Sequence, residues 1–453
     1  MSGRMERIVI VGAGLTALRA AERLRELKFD GEVVIVGDEP YKPYHRPALS
    51  KQLVTGKLAT KDLFFPAYHD IDAIWRTRTR AHKLDHGRHV VHLPGGEELK
   101  YDGLMIATGV EARHLAGAPR HDPRVHALRT LDDAIAIKET LTRSKGRVVV
   151  IGTGFTGCEF ASSCREMNRD VTIIGRSKTL FGKALGPELG AAIGDLHRRH
   201  GVDLALGVDI RHWATGPEGV AIVLSNERLI TAACVILAVG SMPSTDWLAG
   251  SGLVLEDGVL CEPTCHVVGA SDVVAAGDVA RWPNLRFDGV PRRVEHWLNA
   301  IEMGRAAAEN LLAGKSRAKP FTPLPRFWSE QHHVRIQAAG IPAIGQQTMY
   351  LSTRPNGAER SITGYIRAGK PVGIVGLNQP RTMIHLTRQL DQKLRPMVPS
   401  ERVRNATPRR TPVENPSVAN AETLSERTPG DSKIDVSELS ARLKAPAGRG
   451  NGR

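Results

Sequence analysis

No run of apolar residues in this chain approaches the roughly 20 that a membrane-crossing helix requires, so no membrane role is expected. The first residues, MSGRMERIVIVGAG, pass almost at once into an apolar strand. That start predicts no secretory leader and a cytoplasmic location. Cysteine is scarce: Cys158, Cys164, Cys234, Cys261 and Cys265 are the whole set. No two are spaced C-x-x-C, and none has the partnered spacing of a zinc site. Cys261 and Cys265, four apart in a loop-like segment, read as small buried hydrophobes. No pair is suited to relaying electrons, and no metal is expected. Aromatic residues make up only 5% of the chain, and the basic residues are scattered away from them. A stacking platform for nucleic acid is therefore not expected, despite a formal net charge of +14. A small acidic protein partner or an anionic coenzyme accounts for that excess equally well.

At 453 residues the chain is too long for one ordinary core, and two to four domains are expected. One motif occurs twice, as RIVIVGAGLTALRAAERLRELKFDGEVVIVGDE and as RVVVIGTGFTGCEFASSCREMNRDVTIIGRSK. Each copy is an apolar strand, a glycine turn, an amphipathic helix and a second apolar strand. That is the strand–helix–strand unit of a dinucleotide fold. Gly12 to Asp38 is 26 residues and Gly152 to Arg176 is 24, so the copies are nearly isometric. A single G-x-G-x-x-G is weak evidence; two in this context are strong. Gly12 and Gly14 let the backbone approach a pyrophosphate, whose charge the helix N-terminus favours. Ala17 takes the third glycine position. Asp38 ends the second strand, placed to accept hydrogen bonds from ribose hydroxyls. In the second copy, Gly152, Gly154 and Gly157 play the glycine roles, and no acid ends the strand.

Two shorter motifs, YDGLMIATG and DVVAAGDVA, lie on either side of the second unit. If both serve the first nucleotide, the first domain is discontinuous and the second is inserted into it. From about Phe321 to Leu394, RFWSEQHHVRIQAAG, SITGYIRAGKPVGIVGL and TMIHLTRQL predict strands followed by a helix. His332 and His333 within that run read as surface histidines without a role. From Pro396 the chain is rich in Pro, Ser, Thr and charge with no apolar period, and is expected to be irregular.

The run VGDEPYKPYHRPALSK resembles the signature of FAD-dependent ferredoxin reductases of the oxygenase-coupled type. That family belongs to the two-dinucleotide-domain flavoproteins of the pyridine nucleotide-disulfide oxidoreductase superfamily. The resemblance continues through ALRTLDDA, AVGSMPSTDWLAGSGL, AAGDVARWPN, RRVEHWLNAIEMG, RFWSEQ and VGIVGLNQPR, covering nearly everything up to about Leu394. It implies an α/β fold with two Rossmann-like domains and a C-terminal α/β domain. In that scheme 1–117 and 248–320 form the FAD domain, 118–247 the NAD(P) domain, 321–395 the C-terminal domain and 396–453 the tail. For FAD it implies Gly12, Gly14, Thr16, Asp38, Arg46, Lys51, Ala81, Thr108, Gly109, Arg129, Asp278, Trp297 and Trp328. For NAD(P) it implies Gly152, Gly154, Gly157, Glu159, Arg176 and Gly240. Lys51 and Glu159 are the implied catalytic pair: the lysine stabilises electron density arriving as hydride, and the glutamate holds the lysine.

Relatives of this type usually carry a glutamate at the position aligned with Gly175, where it binds ribose hydroxyls and repels a 2′-phosphate. Here Gly175-Arg176 with Lys178 puts positive charge in that place, which favours NADPH without excluding NADH. Ala48 and Ala112 stand where the family has proline, relaxing a turn at each. The expected activity is hydride transfer from NAD(P)H to FAD, then single electrons to a small acidic iron–sulfur ferredoxin, or less readily a rubredoxin. A P450 or ring dioxygenase would be the terminal oxidase. The alternatives are an NAD(P)H oxidase and a slow NAD(P)H-sensing flavoprotein of the apoptosis-inducing-factor type. An oxidase or peroxide reductase of this fold usually carries a redox cysteine in the short segment that follows Lys51, and none of the five lies in that segment.

Overall fold

A computed structural model of the chain describes residues 5–65, 71–352 and 360–394. The tail expected to be irregular, 396–453, lies outside the described residues. The first unit consists of strand β1 (Arg7–Val11), helix α1 (Leu15–Glu26) and strand β2 (Glu32–Val36). Both strands are runs of β-branched residues buried on both faces, as central strands of a parallel sheet must be. The second unit repeats this with β3 (Val148–Ile151), α2 (Phe155–Glu166) and β4 (Val171–Gly175).

Each unit seeds a five-stranded, fully parallel sheet. In the first the order is Val273–Ala275, Gly103–Ile106, β1, β2, Ile74–Arg76. In the second it is Val202–Leu206, β4, β3, Cys234–Leu237, Val125–Ala127. The chain thus builds most of the first sheet, completes the second, and returns to place Val273–Ala275 at the edge of the first. The outgoing and returning connections pair with each other: Val110–Ala112 runs antiparallel to Ser241–Pro243. This two-stranded link joins the two units just beyond the strand ends where their glycine turns lie.

The C-terminal segment forms an antiparallel sheet in the order Arg326–Gln331, Val334–Gly340, Lys370–Leu377, Ser361–Arg367, Gln347–Tyr350. Helix Pro380–Lys393 packs against it. Its edge strand Arg326–Gln331 lies on α2, as does the helical turn Leu49–Leu53. Covered by its own sheet and by both of these, α2 buries Gly157, Cys158, Glu159, Phe160, Ala161, Ser163 and Cys164. A helix clad on more than one side carries a weak amphipathic pattern, which is why its sequence reads less clearly than that of α1.

Candidate functional site

The two glycine turns are geometrically equivalent. The Gly12 amide donates to the Val36 carbonyl at 2.7 Å, and the Gly152 amide to the Ile174 carbonyl at 2.9 Å. Gly12 has φ +114° and Gly152 has φ +125°, a region that favours glycine. A Cβ at either would sit 2.1 Å from a carbonyl oxygen, that of Ala107 or of Ala238. Gly14 and Gly154 begin α1 and α2, and a Cβ at either would meet nothing within 4 Å. Each helix therefore opens its N-terminal amides to free space, where its dipole favours an anion.

A cavity of about 600 Å³ starts at the first turn and runs to the junction of all three sheets. That volume suits a large organic cofactor. Its wall includes Gly12, Gly14, Thr16, Asp38, Arg46, Lys51, Ala81, Thr108, Gly109, Arg129, Asp278, Trp297 and Trp328, every residue expected for FAD. Thr156 and Glu159 reach the same cavity from α2. Gly152, Gly154, Gly157, Arg176 and Gly240 do not line it; Gly152 directly follows β3, and Gly240 directly precedes the link strand Ser241–Pro243.

The proline- and tyrosine-rich run after Asp38 is explained by one charged network. Arg46 donates to Glu39 at 2.7 Å and to the Arg129 carbonyl at 2.6 Å. Its guanidinium lies 4.9 Å from the Tyr44 ring centre, and the Tyr44 hydroxyl donates to Glu39 at 2.7 Å. Burial, the largest influence, pushes the Tyr44 phenol well above its ordinary value. Arg129 in turn donates to the Val110 carbonyl and to Asp278. Arg129 is also anchored through its own amide, which donates to Asp133 at 2.9 Å. Asp133 closes a capping box with Thr130 on helix Leu131–Arg143. Arg129 therefore bridges the inter-unit link, the Asp278 turn and the Arg46 loop.

Lys51 and Glu159 come from segments 108 residues apart and meet at 2.6 Å. Their side chains are only 15% and 10% exposed, so the pair sits in a low-dielectric wall. Glu159 also accepts from Ser50 at 3.1 Å and from Ser329 at 2.6 Å. Both serines lie inside motifs quoted for other residues, Ser50 beside Lys51 and Ser329 in RFWSEQ; only the docking of the C-terminal strand on α2 brings Ser329 here.

Two further cavity features escaped sequence reasoning. His296, at the start of helix Trp297–Ala313, has a buried Nδ1 with no partner in the protein. Burial lowers its imidazole to about 4, so it is neutral and able to pair with a bound polar group. The Phe155 ring, at the start of α2, packs on Phe181 and Phe327 at 4.6 and 5.0 Å between centres.

The structure refines the reading of Gly175-Arg176. Val36 pairs with Val11, and Ile174 pairs with Ile151. Gly175 therefore corresponds to Gly37, and Arg176 to Asp38. Both glycines make room for a residue of the facing turn: a Cβ would meet Ala13 Cβ or the Thr153 methyl at 2.3 Å. The acid of the first unit is thus replaced in the second by an arginine at the same register position. Arg176 is 86% exposed, with Asp209 at 3.9 Å.

The expectation for His332 is corrected. Both His332 (φ +49°) and His333 (φ +64°) are left-handed, forming a two-residue hairpin turn between Gln331 and Val334. Such a turn favours Asn-Gly, and a residue with a Cβ costs roughly 1–2 kcal/mol there. His333 is exposed, but His332 is half-buried. Its amide donates to Ser162 at 2.7 Å, and its ring meets that of His197 at 3.1 Å between nitrogens. A hairpin turn does not reveal in sequence what lies beneath it.

The residues present fit FAD: the open N-terminus of α1, a long cavity, an orphaned imidazole nitrogen and a mostly buried ammonium on its wall. Comparison with known proteins agrees. Residues 6–304 match the pyridine nucleotide-disulphide oxidoreductase family, and 326–407 the reductase C-terminal domain. Terpredoxin reductase of Pseudomonas sp. is 32% identical over 86% of this chain and 94% of its own. The ferredoxin–NAD(+) reductase component of the p-cumate 2,3-dioxygenase system of Pseudomonas putida is 29% identical over 87% and 95%. The solved covalent putidaredoxin reductase–putidaredoxin complex contains a chain that superposes with a TM-score of 0.80 at 26% identity, over 86% of this chain and 93% of that one. This chain therefore belongs to the pyridine nucleotide-disulphide oxidoreductase family, within its flavoprotein ferredoxin-reductase branch.

Proposed function

We propose that the protein is an FAD-dependent NAD(P)H:ferredoxin oxidoreductase that supplies electrons to an oxygenase. The Lys51–Glu159 pair carries this reading. It stands in the cavity wall where the two nucleotide units meet, and no cysteine lines that cavity. All five cysteines are buried and free, and burial raises their thiols well above the ordinary range. A buried neutral thiol is no redox relay, so electrons that enter here leave for an external acceptor.

When bound, FAD would accept a hydride from NAD(P)H and release electrons one at a time. Gly12, Gly14 and Thr16 would hold its pyrophosphate side and Asp38 a ribose. Arg46, Ala81, Thr108, Gly109, Arg129 and Asp278 would hold the middle and ring portions, with Trp297 and Trp328 beside the ring. Lys51 supplies a desolvated positive charge; Glu159 fixes its direction and keeps the pair neutral. Gly152, Gly154, Gly157 and Gly240 would seat the nicotinamide coenzyme. The chain's bounds of work follow the same division: 1–117 with 248–320, 118–247 and 321–395.

Arg176 supports NADPH as the preferred donor. Where the first unit offers a ribose-binding acid, the second offers an exposed guanidinium with only a distant carboxylate. Relatives named as ferredoxin–NAD(+) reductases use the other coenzyme by name, so on this reading Arg176 sets this chain apart from them. The acceptor is a small acidic iron–sulfur protein, complementary to the net charge of +14.

Purified protein should carry FAD and reduce a [2Fe–2S] ferredoxin with NADPH over many turnovers. Failure to take up FAD on reconstitution would overturn the flavoenzyme reading. A bleached flavin that persists in ferredoxin's presence would favour the sensor instead.

A further inference from the structure

Behind Glu159 runs an unbroken line of side chains, buried as far as His197. Ser329 Oγ lies 2.6 Å from Glu159 Oε1, and Gln331 Nε2 lies 3.0 Å from Ser329 Oγ. His197 Nε2 lies 2.9 Å from Gln331 Oε1, and His332 Nε2 lies 3.1 Å from His197 Nδ1. Ser329, Gln331 and His197 are no more than 1% exposed. The His332 ring then stacks on exposed His200, with centres 4.3 Å apart. We propose that Ser329, Gln331, His197 and His332 are positioning residues for Glu159, forming a hydrogen-bond chain whose direction is set by the charge on that carboxylate and carried to the surface at His332.

The direction follows from one premise, the carboxylate's charge in its ion pair with Lys51. An ionised carboxylate only accepts, so Ser329 must give its single proton to Glu159. The Ser329 oxygen then accepts an N–H, which only the Gln331 amide nitrogen supplies. The Gln331 carbonyl is thereby turned to His197, whose Nε2 must carry hydrogen. His197 Nδ1 is then bare and accepts from His332 Nε2–H. Every donor points inward, and each bond polarises the next. Neutralising Glu159 removes the premise: Ser329 is then free to donate to a turned Gln331, and the whole line can reverse.

Three observations show that the line is held rather than incidental. It connects α2, helix Pro187–Arg199 and the C-terminal hairpin, so no local turn accounts for it. The histidine turn keeps left-handed backbone at two β-carbon-bearing residues, where glycine would be favoured. Burial above all, with smaller contributions from nearby histidines and, at His332, from Arg165, pushes His197 to about 4 and His332 to about 3, which keeps both neutral single donors near pH 7. The groups facing them are His200, His333 and Arg165 around His332, and His200 and Gln331 around His197. Lys51 and the buried thiol Cys158 face Glu159.

The consequence for hydride transfer rests on the Lys51–Glu159 reading; the chain itself does not. Full-length, FAD-loaded protein labelled with ¹⁵N-histidine tests it, with His197 assigned by difference against His197→Asn. His197 should show hydrogen on Nε2 and a bare Nδ1. Glu159→Gln should abolish that single tautomer. An Nδ1–H tautomer in the parent protein, or no change in Glu159→Gln, would overturn the proposal. His332→Gly relaxes the turn, so its thermal midpoint should hold or rise. Flavin reduction should nevertheless slow, because losing the outermost bond weakens each bond between it and Glu159. His332→Gln, whose Nε2–H reaches the place of the imidazole Nε2, should restore the parent rate. An unchanged rate in a stable His332→Gly protein would reduce the chain to a structural role.

Discussion

Replacing Arg176 with glutamate should invert the coenzyme preference, and its size follows from exposure and register. Arg176 stands where the first unit has Asp38, just beyond the strand end, and on the proposed reading it would face the coenzyme's ribose. Hydrogen bonds to charged groups contribute about 1.5–3 kcal/mol. The side chain is 86% exposed, so solvent screening reduces this to ~1–2 kcal/mol. Asp209 at 3.9 Å and 71% exposed is a weak competitor and leaves the guanidinium available. Arg176→Ala should then cost NADPH roughly 5- to 30-fold in kcat/KM while changing NADH little. Glutamate adds repulsion of about 1 kcal/mol per unit of phosphate charge near 4 Å in water. The ratio of kcat/KM for NADPH over NADH should therefore fall roughly 50- to 1,000-fold in Arg176→Glu. Steady-state reduction of a dye acceptor, which bypasses ferredoxin docking, measures both coenzymes in one assay. Raising salt should shrink the parent's preference, since the contact is solvent-exposed. A ratio unchanged within twofold would refute the assignment of a 2′-phosphate to this position.

Gly12→Ala should be severe, because the new Cβ meets a backbone oxygen at 2.1 Å in a conformation with φ +114°. A loss of ~3 kcal/mol or more is expected, read as a lowered thermal midpoint with reduced flavin content; parent-like values for both would show that the turn gives way. Glu26 ties α1 to helix Trp297–Ala313 through Arg305, with Arg23 as second partner, and is held down to about 2. A depressed carboxylate stabilises the fold above its unfolded value and loses that contribution as pH falls through the folded one. The gap in stability between parent and Glu26→Gln should accordingly be present at pH 6 and close between about 4.5 and 2; a gap independent of pH would mean that packing, not charge, is lost.

How much was legible depended on whether a feature is local. The glycine turns and Asp38 are read within a few residues, and the structure places them as their spacing suggests. The cavity-lining group was legible only through resemblance, since Arg46, Arg129 and Asp278 gather from three distant segments. The histidine turn was misread because a hairpin with unfavourable residues reads as an ordinary surface loop. Its cost makes sense only with Ser162 and His197 beneath it.

What the sequence determined by itself is what short-range geometry enforces: two nucleotide units, the charge reversal from Asp38 to Arg176, and the want of a cysteine pair. β-branched runs can bury only as strands, glycine alone accepts the turn, and a side chain's charge needs no fold to be known. Tertiary structure decided the rest. Docking strand Arg326–Gln331 onto α2 placed Ser329 and Gln331 behind Glu159 and buried that contact. Only in that low-dielectric seam must every donor find an acceptor, and that requirement turns a serine, a glutamine and two histidines into one directed line.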